Sequence, residues 1–557
     1  MDTVGLGPLF TGVINMNRIS RGVALFATAS ALAMSASVAY AADIKSFDTD
    51  GGFLTAYLDN NTVQSSPAVA NGVPGGGPAS AAFGAAAAVG LSFNGVSLFD
   101  SASVNGGGYN VPPDTMGAIG ATQFFETSNS AFAVYDKTTG ARTELVSGTA
   151  FWAAAGITGF GGDSRVRYDT VSNRWIVTSL SGGADNNVNI AISDTSNALG
   201  HWKAVTLNAY PAGIADYPTL ALDNNAVYIG TDNFKGGSTY AGTSLFVIPR
   251  TSLFSAAPSL ANTVKFDNGA AAGVPDRGFA IQGLNNTDSA SKNGGAIADS
   301  LYSNQLTHYD ILNAGTPGAT QTAPVDAIGP NYGDPVKARQ PDGSQHIDAL
   351  DARVSSSAWL QNGKIYTVFT VNDGTGHDAV NWEVIDAKTN AVLGQGLISG
   401  GGYDYYQGSL AVNSAGQVVI GYNRSGFDAA TGNISIFART FDSVAGGGLV
   451  QTGSDILLHM SALGNYNNHE FGAGINRWGD YSAVTLDPTN SESFWVIGEY
   501  QGPNFKVGAD VRTSWGTWIS DVILSPVPEP MTWAMMLVGF GLIGGAARRR
   551  SRTAAAV

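Results

Sequence analysis

The chain has 557 residues, of which 44% are hydrophobic and 13% charged, and its formal net charge is −15. The hydrophobic content indicates a folded body rather than a disordered chain, and the acidic balance argues against a nucleic-acid partner. Cysteine is absent, which excludes disulfides, a thiol nucleophile and thiolate metal sites. The 72 glycines and the many Tyr, Phe and Trp residues favour short strands joined by turns.

Residues 1–41 are typical of an upstream extension followed by a secretory signal peptide. Two arginines precede an apolar stretch at 23–38, and the small residues Ala39 and Ala41 form a cleavage site. An uncleaved anchor or a buried helix is the alternative, but the polar residues that follow disfavour it. Met16 is an alternative start of translation.

Residues 42–108 are low in complexity, with a Gly-Gly-Gly-Pro stretch at 75–78 and an alanine run at 85–88. This composition predicts a flexible leader that holds at most a strand or two.

Residues 109–525 alternate strand-like runs with Gly, Asn and Asp turns. Several segments resemble diverged copies of one unit, a small-residue strand followed by a turn and an aromatic-rich strand. They begin at Asp114, Asp163, Asp216, Asp351, Tyr405 and Gly479. The third gap leaves room for one more copy near 277–301. Radial repetition of four-stranded sheets suits this period, so we predict an all-β fold, a β-propeller of seven blades.

Two stretches of the body resemble segments of secreted bacterial β-propellers of unassigned activity. They are Pro-Pro-Asp-Thr-Met-Gly-Ala-Ile-Gly at 112–120 and Arg-Trp-Gly-Asp-Tyr-Ser at 477–482. The resemblance implies a fold and no chemistry.

An Asp-x-Arg pattern recurs near the starts of strand-like segments. The pairs are Asp163 with Arg165, Asp351 with Arg353, and Asp510 with Arg512. If Arg165 and Arg353 line a propeller channel, they are candidates for binding a carboxylated sugar. The alternative is that each pair closes a salt bridge between neighbouring blades. The absence of a Ser-x-Asp-x-Gly-x-x-Trp box weakens a sialidase-like interpretation.

Aromatic residues provide a second candidate site. Tyr403, Tyr405 and Tyr406 could present flat rings to sugar faces, or they could pack between blades. Trp478 and Tyr481 allow the same two interpretations.

Evidence for a cofactor is weak. The histidines are dispersed, and neither a nucleophile elbow nor a phosphate-binding loop is present. The Asp-rich loops at 48–51 and 372–378 offer hard oxygen ligands, with Asp373 and Asp378 as candidates for calcium. Asp-Gly pairs are far more often plain hairpin turns, so we expect no cofactor, with calcium as the open alternative.

Residues 526–557 form a tail with three ordered parts. An apolar stretch at 531–547 is short for a bilayer but predicts one short transmembrane helix, and the arginines after it should stay cytoplasmic. The residues that define the tail are Pro528, Glu529, Pro530, Trp533, Arg548, Arg549 and Arg550.

This tail resembles the PEP-CTERM sorting signal, which combines a Pro-Glu-Pro triplet, a hydrophobic helix and a terminal arginine cluster. The resemblance implies export through the secretion machinery, anchoring in the inner membrane with the body in the periplasm, and processing by an exosortase near the triplet. It also implies a cell-surface or extracellular destination in bacteria that make exopolysaccharide and biofilm matrix.

From these features we predict an exported envelope or extracellular-matrix protein, a non-catalytic binding or structural propeller associated with exopolysaccharide. The alternative is an extracellular glycan-active hydrolase or lyase whose site lies in the central channel. The sequence does not decide whether the protein is an enzyme.

Overall fold

The computed structural model describes residues 87–182, 187–235, 239–269, 278–288, 290–299, 306–327, 333–468, 474–507 and 510–524. Within these ranges, no helix has the length and apolar character that crossing a lipid bilayer requires. The predicted signal peptide, with Ala39 and Ala41, and the predicted sorting tail, with its transmembrane helix, lie outside them.

The fold is all-β as predicted. Of the residues that the structure describes, 55% lie in strands and 4% in helices. A first group of elements builds the closing strand and the first three sheets. These elements are β1 Ala88–Ser97, α1 Leu98–Val104, β2 Met116–Ile119, β3 Gln123–Thr127, β4 Ala131–Asp136, β5 Arg142–Ser147, α2 Gly148–Ala154, β6 Gly162–Asp169, β7 Arg174–Leu180, β8 Asn187–Ser193, β9 Trp202–Asn208, β10 Gly213–Asp216, β11 Ala221–Leu222, β12 Ala226–Lys235, β13 Thr239–Pro249, α3 Arg250–Leu253 and β14 Val264–Gly269.

The second group completes the body. These elements are β15 Phe279–Asn285, β16 Gly294–Asp299, β17 Leu306–Leu312, β18 Thr320–Gln321, β19 Val325–Asp326, β20 Ala338–Arg339, β21 Gln345–Ile347, β22 Ala358–Gln361, β23 Lys364–Asn372, β24 Asp378–Asp386, β25 Val392–Ile398, β26 Tyr403–Val412, β27 Gln417–Gly426, β28 Ser435–Ser443, β29 Leu449–Gln451, β30 Ile456–Met460, β31 Ala483–Leu486, β32 Ser493–Val507 and β33 Asp510–Ile523.

The first strands of the sheets form an inner ring. Strand β2 lies against β6 and β31, β26 lies against β22 and β31, and β15 lies against β11 and β22. The later strands of each sheet extend outwards from this ring in antiparallel order. This radial arrangement is a β-propeller, and the sequence copies that begin at Asp114, Asp163 and Asp216 supply its first strands.

Five of the sheets in the described part of the chain have four or five strands and stand as separate blades, so the predicted seven separate blades are wrong. The difference arises in a nine-stranded sheet, which contains the two antiparallel runs β15–β19 and β22–β25. Strands β15 and β22 pair in parallel at Leu284 with Ala358 and at Asn285 with Trp359. This hydrogen bonding between two inner strands joins both runs into one sheet.

Strand β1 completes the sheet formed by β31, β32 and β33, which we call the closing sheet. Its antiparallel pairing with β33 joins the beginning of the body to its end. Helix α1 follows at once, capped by Ser97 with a capping box to Asp100. Strand β1 is one of the strands that the predicted leader allowed for, whereas the helix was not expected there. The hydrophobic residues Phe93, Val96 and Leu98 are buried in the main core.

A buried carboxyl group fastens this junction. The Oε2 atom of Glu126, in the first sheet, accepts hydrogen bonds from the Val96 amide at 2.9 Å and the Tyr135 hydroxyl at 2.8 Å. The Thr517 hydroxyl of β33 donates to its Oε1 atom at 2.6 Å. Burial raises the pKa of Glu126 to about 7, although these donors oppose the shift. We call this group of four residues the seam.

The turns that follow the first strands lie side by side on one face, which we call the turn face. They comprise residues 120–122, 170–173, 223–225, 286–288, 290–293, 362–363, 413–416 and 487–492. Polar contacts link neighbouring turns around the ring: Lys137 with Asp487, Gln123 with Asn197, Arg250 with Asp169 and Asp223, Asn225 with Ser291, Thr287 with Gln361, Asn362 with Ser414, and Asn413 with Ser491. The first strands begin at the opposite face, which we call the cap face.

Candidate functional site

Two long connections pack together on the cap face, one between β19 and β22 and one between β30 and β31. We call them the cap, because they cover the inner ring. The Gln340 side chain accepts from the Tyr466 amide at 2.6 Å and donates to the Tyr466 carbonyl at 3.0 Å. The Asn476 amide donates to the His346 carbonyl at 2.8 Å. Tyr466 and Trp478 are fully buried beneath the cap, with their rings edge to face at 4.7 Å.

Beneath the cap, rings and guanidinium groups alternate across the centre, and we call this row the central stack. The Arg165 guanidinium lies 3.5 Å from the Tyr481 ring centroid and 5.3 Å from that of Tyr217. Arg353 lies 4.5 Å from the Tyr217 centroid and 4.6 Å from that of Phe279. Cations over aromatic faces are strongly attracted where water is excluded, and both arginines are only 1% exposed. Side chains therefore fill the centre.

The arginines of the stack are also held by backbone carbonyls. Arg165 donates to the carbonyls of Pro218 at 3.1 Å and Ser355 at 2.9 Å, and the Tyr217 hydroxyl donates to the same Ser355 carbonyl at 3.2 Å. These bonds bring three parts of the chain together at one point. Arg165 and Arg353 are thus held within the fold, and their role in ligand binding stays a prediction.

In two of the Asp-x-Arg pairs, the arginine binds the aspartate of its own segment. Arg353 binds Asp351 of its own segment through two contacts of 2.6 Å, and Arg512 binds Asp510 within β33 at 3.0 Å. Residues two apart on an extended chain share a face, and this proximity explains both local pairs. The interblade alternative is therefore wrong for these two pairs.

An acidic group lies between the central stack and the cap. Asp114 accepts hydrogen bonds from the Asp480 amide at 2.6 Å and from the Asn129 side chain at 2.5 Å. Asn129 in turn accepts from the Asp163 amide at 2.8 Å. The Glu499 and Asp114 carboxyl groups both lie close to Gly479. A Cβ atom placed on Gly479 would lie 2.9 Å from Glu499 Oε2 and 3.7 Å from Asp114 Oδ1. Carboxyl groups of three sheets therefore converge.

One arginine of the cap balances part of this acidic group. Arg477 contacts Asp480 and lies 2.9 Å from Asp348. Burial and the neighbouring Asp480 raise the pKa of Asp114 to about 7. Burial also raises the pKa values of Asp163, beside Asp216, and of Glu499, beside Asp114, well above their ordinary range. Burial in a shared site thus favours the protonated form of each of these carboxyl groups.

The backbone at this end of the inner ring is strained. Asp114, Asp163 and Tyr217 have φ values of 46°, 52° and 53°, in the left-handed region that disfavours side chains. Such strain costs about 1–3 kcal/mol per residue and is held by surrounding structure. Each of the three stands just before a first strand or within its opening, so the strained geometry sets how the central side chains are aimed.

The predicted aromatic platform is mostly buried. Tyr406 is fully buried and donates to Ser425 at 3.2 Å, and Tyr405 is 2% exposed and donates to the Gly400 carbonyl at 3.2 Å. Both rings are packed in the core, and sugar binding by them stays a prediction. Tyr403 is half-buried, with Arg424 4.3 Å from its ring centroid.

An exposed ring that sequence reasoning missed stands next to Tyr403. Phe427 is 49% exposed and follows Gly426, which pairs with Tyr403 across β26 and β27. The Arg339 guanidinium lies 5.6 Å from the Phe427 centroid and 2.7 Å from Asp404. An isolated Phe beside a turn gives no sequence signal for this placement. We call Tyr403 and Phe427 the aromatic rim.

The predicted calcium residues have protein partners. Asp373 accepts from the Thr375 amide and hydroxyl at 2.7 Å, and Asp378 accepts from the Val336 amide at 2.6 Å. Burial and the neighbouring Asp404 raise the pKa of Asp378 to about 8. In the part of the chain that the structure describes, no group of three or more His, Asp or Glu residues is placed to hold a metal. Calcium binding stays a prediction.

The third sheet contains a small cavity of about 210 Å³, away from the central stack. Its polar lining includes Asn233, Thr243, Lys265 and Asp267, and the last two form an ion pair of 2.8 Å. Asn233 already donates to Ser244 at 2.8 Å, so its amide is engaged within the sheet.

Comparison with solved structures gives low similarities. A protein of unknown function from Dyadobacter fermentans has 10% identity and a TM-score of 0.33, with 74% of this chain and 94% of the other covered. The BP39L lectin from Burkholderia pseudomallei has 11% identity and a TM-score of 0.37, with 74% of this chain and 99% of the lectin covered. An endo-arabinase from Bacteroides thetaiotaomicron has 13% identity and a TM-score of 0.28, with 51% of this chain and 94% of the arabinase covered. No activity can be transferred at these scores, and no curated protein matches the sequence.

Residues 526–550 match the PEP-CTERM protein-sorting motif. This match confirms the resemblance that the Pro-Glu-Pro triplet, the apolar stretch and the arginine cluster indicated. The motif implies export, membrane-anchored sorting and processing by an exosortase. The chain therefore carries a PEP-CTERM sorting motif, and its body is a β-propeller.

Proposed function

We propose that the sorted protein is a non-catalytic binding or structural propeller of the cell envelope or extracellular matrix, with exopolysaccharide as its ligand class. The filled centre is the observation that carries this proposal. Glycoside hydrolysis needs two carboxyl groups about 5–9.5 Å apart with room for a sugar between them. Here Tyr481, Arg165 and Tyr217 occupy the middle at 2%, 1% and 3% exposure, and the cap covers them.

The aromatic rim is the surface on which we expect a glycan to bind. Flat rings favour the apolar faces of sugars, and neighbouring polar groups orient the hydroxyls. Phe427 supplies the exposed ring, and Arg339 and His377 lie beside it, with 2.9 Å between Arg339 Nη1 and His377 Nδ1.

Binding and hydrolysis are separated by one experiment on exopolysaccharide purified from the native host. We expect the protein to co-sediment with the polysaccharide and to release no reducing ends. Phe427→Ala should weaken co-sedimentation by about tenfold, which corresponds to 1.4 kcal/mol. Tyr405→Phe, a change to a buried ring of the neighbouring strand β26, is the matched control and should bind normally. Equal binding by Phe427→Ala and wild type would remove the aromatic rim from the proposal.

A glycan-active hydrolase or lyase is the second candidate, because carboxyl groups of three sheets converge with raised pKa values. Asp163 is the half-buried member of that acidic group, so it is the one that a substrate could reach. Release of reducing ends that disappears in Asp163→Asn, while binding persists, would establish this candidate and overturn the non-catalytic one.

A further inference from the structure

The point where the chain leaves the propeller is fixed on the turn face. Strand β33 is bonded to β1 on one side and to β32 on the other. At its end, the Leu524 amide donates to the Glu492 carbonyl at 2.7 Å, and Glu492 belongs to the turn at 487–492. The chain therefore leaves the body and continues to its sorting motif from a fixed point on the turn face.

The connection to the motif is short. The motif begins at residue 526, and Trp533, where its apolar part opens, is nine positions beyond Leu524. At no more than about 3.6 Å per residue, this connection spans at most about 32 Å. The 14 residues of β33 extend over about 46 Å at 3.3 Å each. The connection is therefore too short to pass along the closing sheet and round the cap face.

The tips of the turn face carry exposed aliphatic side chains. Val171 is 60% exposed, Leu199 45%, Val444 40% and Leu312 37%. Aliphatic side chains at such tips are stabilised at the boundary between lipid headgroups and acyl chains. Exposed aliphatic residues also occur elsewhere, as at Val511, so the short connection carries the argument and the turn tips agree with it.

We propose that the turn face lies against the outer leaflet of the inner membrane for as long as the sorting motif is held there uncut, with the cap face pointing away. The partner is a lipid surface, met through the tips of the turn face. This orientation rests on the membrane-anchored sorting that the motif implies. It leaves the aromatic rim, at the outward end of β26 and β27, open to soluble or matrix ligands before processing.

Single-cysteine variants test the orientation directly, because the chain has no cysteine of its own. Val171→Cys on the turn face and Val511→Cys at the cap-face end of β33 form a matched pair, since both valines are at least half exposed. Each full-length, uncut variant is labelled with a nitroxide and reconstituted into vesicles of phosphatidylethanolamine and phosphatidylglycerol. Collision rates with oxygen, which enters lipid, and with a water-soluble nickel chelate are then measured by electron paramagnetic resonance.

We expect the ratio of oxygen to nickel collisions to be several-fold higher at position 171 than at position 511. The difference should vanish in chains that end at Val527. Equal ratios in the full-length chains, or a higher ratio at position 511, would overturn the orientation. A high ratio at position 171 that persists without the motif would overturn the argument from the connection. Unchanged urea midpoints of both variants establish that the labelled proteins are folded.

Discussion

The central stack and the seam both bury charged groups, but they stabilise them in different ways. At the centre, carbonyls, rings and a carboxylate surround the guanidinium groups of Arg165 and Arg353. At the seam, Glu126 meets only neutral donors, and its pKa rises to about 7. Hydrogen bonds alone thus leave a buried carboxyl group partly neutral, whereas a buried guanidinium needs matched partners.

The largest effect is expected where a central charge loses its partner. Arg477→Met leaves the buried carboxyl groups of Asp480 and Asp114 without their nearby cation, so we expect a loss of about 3–5 kcal/mol in the free energy of unfolding. Urea unfolding measures this loss. Lys203→Met, which removes a surface pair with Asp194, is the control and should cost less than about 1 kcal/mol. Similar losses in both variants would refute the distinction between central and surface charges.

The stack can be tested without changing any charge. Tyr481→Leu removes the ring 3.5 Å from Arg165 and should cost about 2 kcal/mol or more, since the cation is desolvated. Tyr481→Phe keeps the ring and removes a buried hydroxyl for which the described residues offer no hydrogen-bond partner. We therefore expect Tyr481→Phe to be neutral or stabilising in urea unfolding. A larger loss for Phe than for Leu would contradict the role of the ring face.

The seam predicts a pH dependence of known sign. The folded-state pKa of Glu126, about 7, exceeds the ordinary value of 4.5, so its contribution to stability is full below pH 4.5 and is lost as the pH rises through about 7. Glu126→Gln removes this titration. Between about pH 4 and about pH 8, its stability should gain up to about 3 kcal/mol relative to wild type. Parallel pH profiles of the two proteins would show that Glu126 does not titrate as described.

The smallest effect is expected at the predicted calcium loop. Asp378 is mostly protonated at neutral pH because its pKa is about 8, so Asp378→Asn should change stability by less than about 0.5 kcal/mol. Excess calcium should leave the unfolding midpoint of wild type unchanged. A calcium-dependent rise that is absent from Asp378→Asn would instead establish a calcium site.

The propeller could be predicted because its repeats keep the same order of strand, turn and aromatic strand. The joined blades could not, because the parallel pairing of Leu284 with Ala358 has no counterpart in residue spacing. For a different reason, strand β1 could not be assigned to the closing sheet. Its alanine- and glycine-rich beginning resembles a linker, and only contact with β33, far away in the chain, makes it a strand.

The candidate site was predicted in part. Sequence spacing identified Arg165 and Arg353 as a polar repeat but not their environment, because the rings between them come from other sheets. The same holds for Asp114, whose neighbour Asp480 is brought close only by closure of the ring. Tyr405 and Tyr406 lie on the same strand as Tyr403, yet those two rings are buried and Tyr403 is only half-buried. Amino-acid composition does not predict this difference in burial.

The pairing of β1 with β33 also sets the order of events during biosynthesis. Strand β1 pairs with β33 from Ala88 with Ile523 to Ser97 with Gly516, so β1 must wait for a strand more than 400 residues further along the chain. Contacts of such long sequence separation form late. If the chain is exported unfolded, the ring therefore stays open until β33 has followed, when little more than the sorting motif remains at the membrane. The processing enzyme would then meet a finished propeller rather than a folding intermediate.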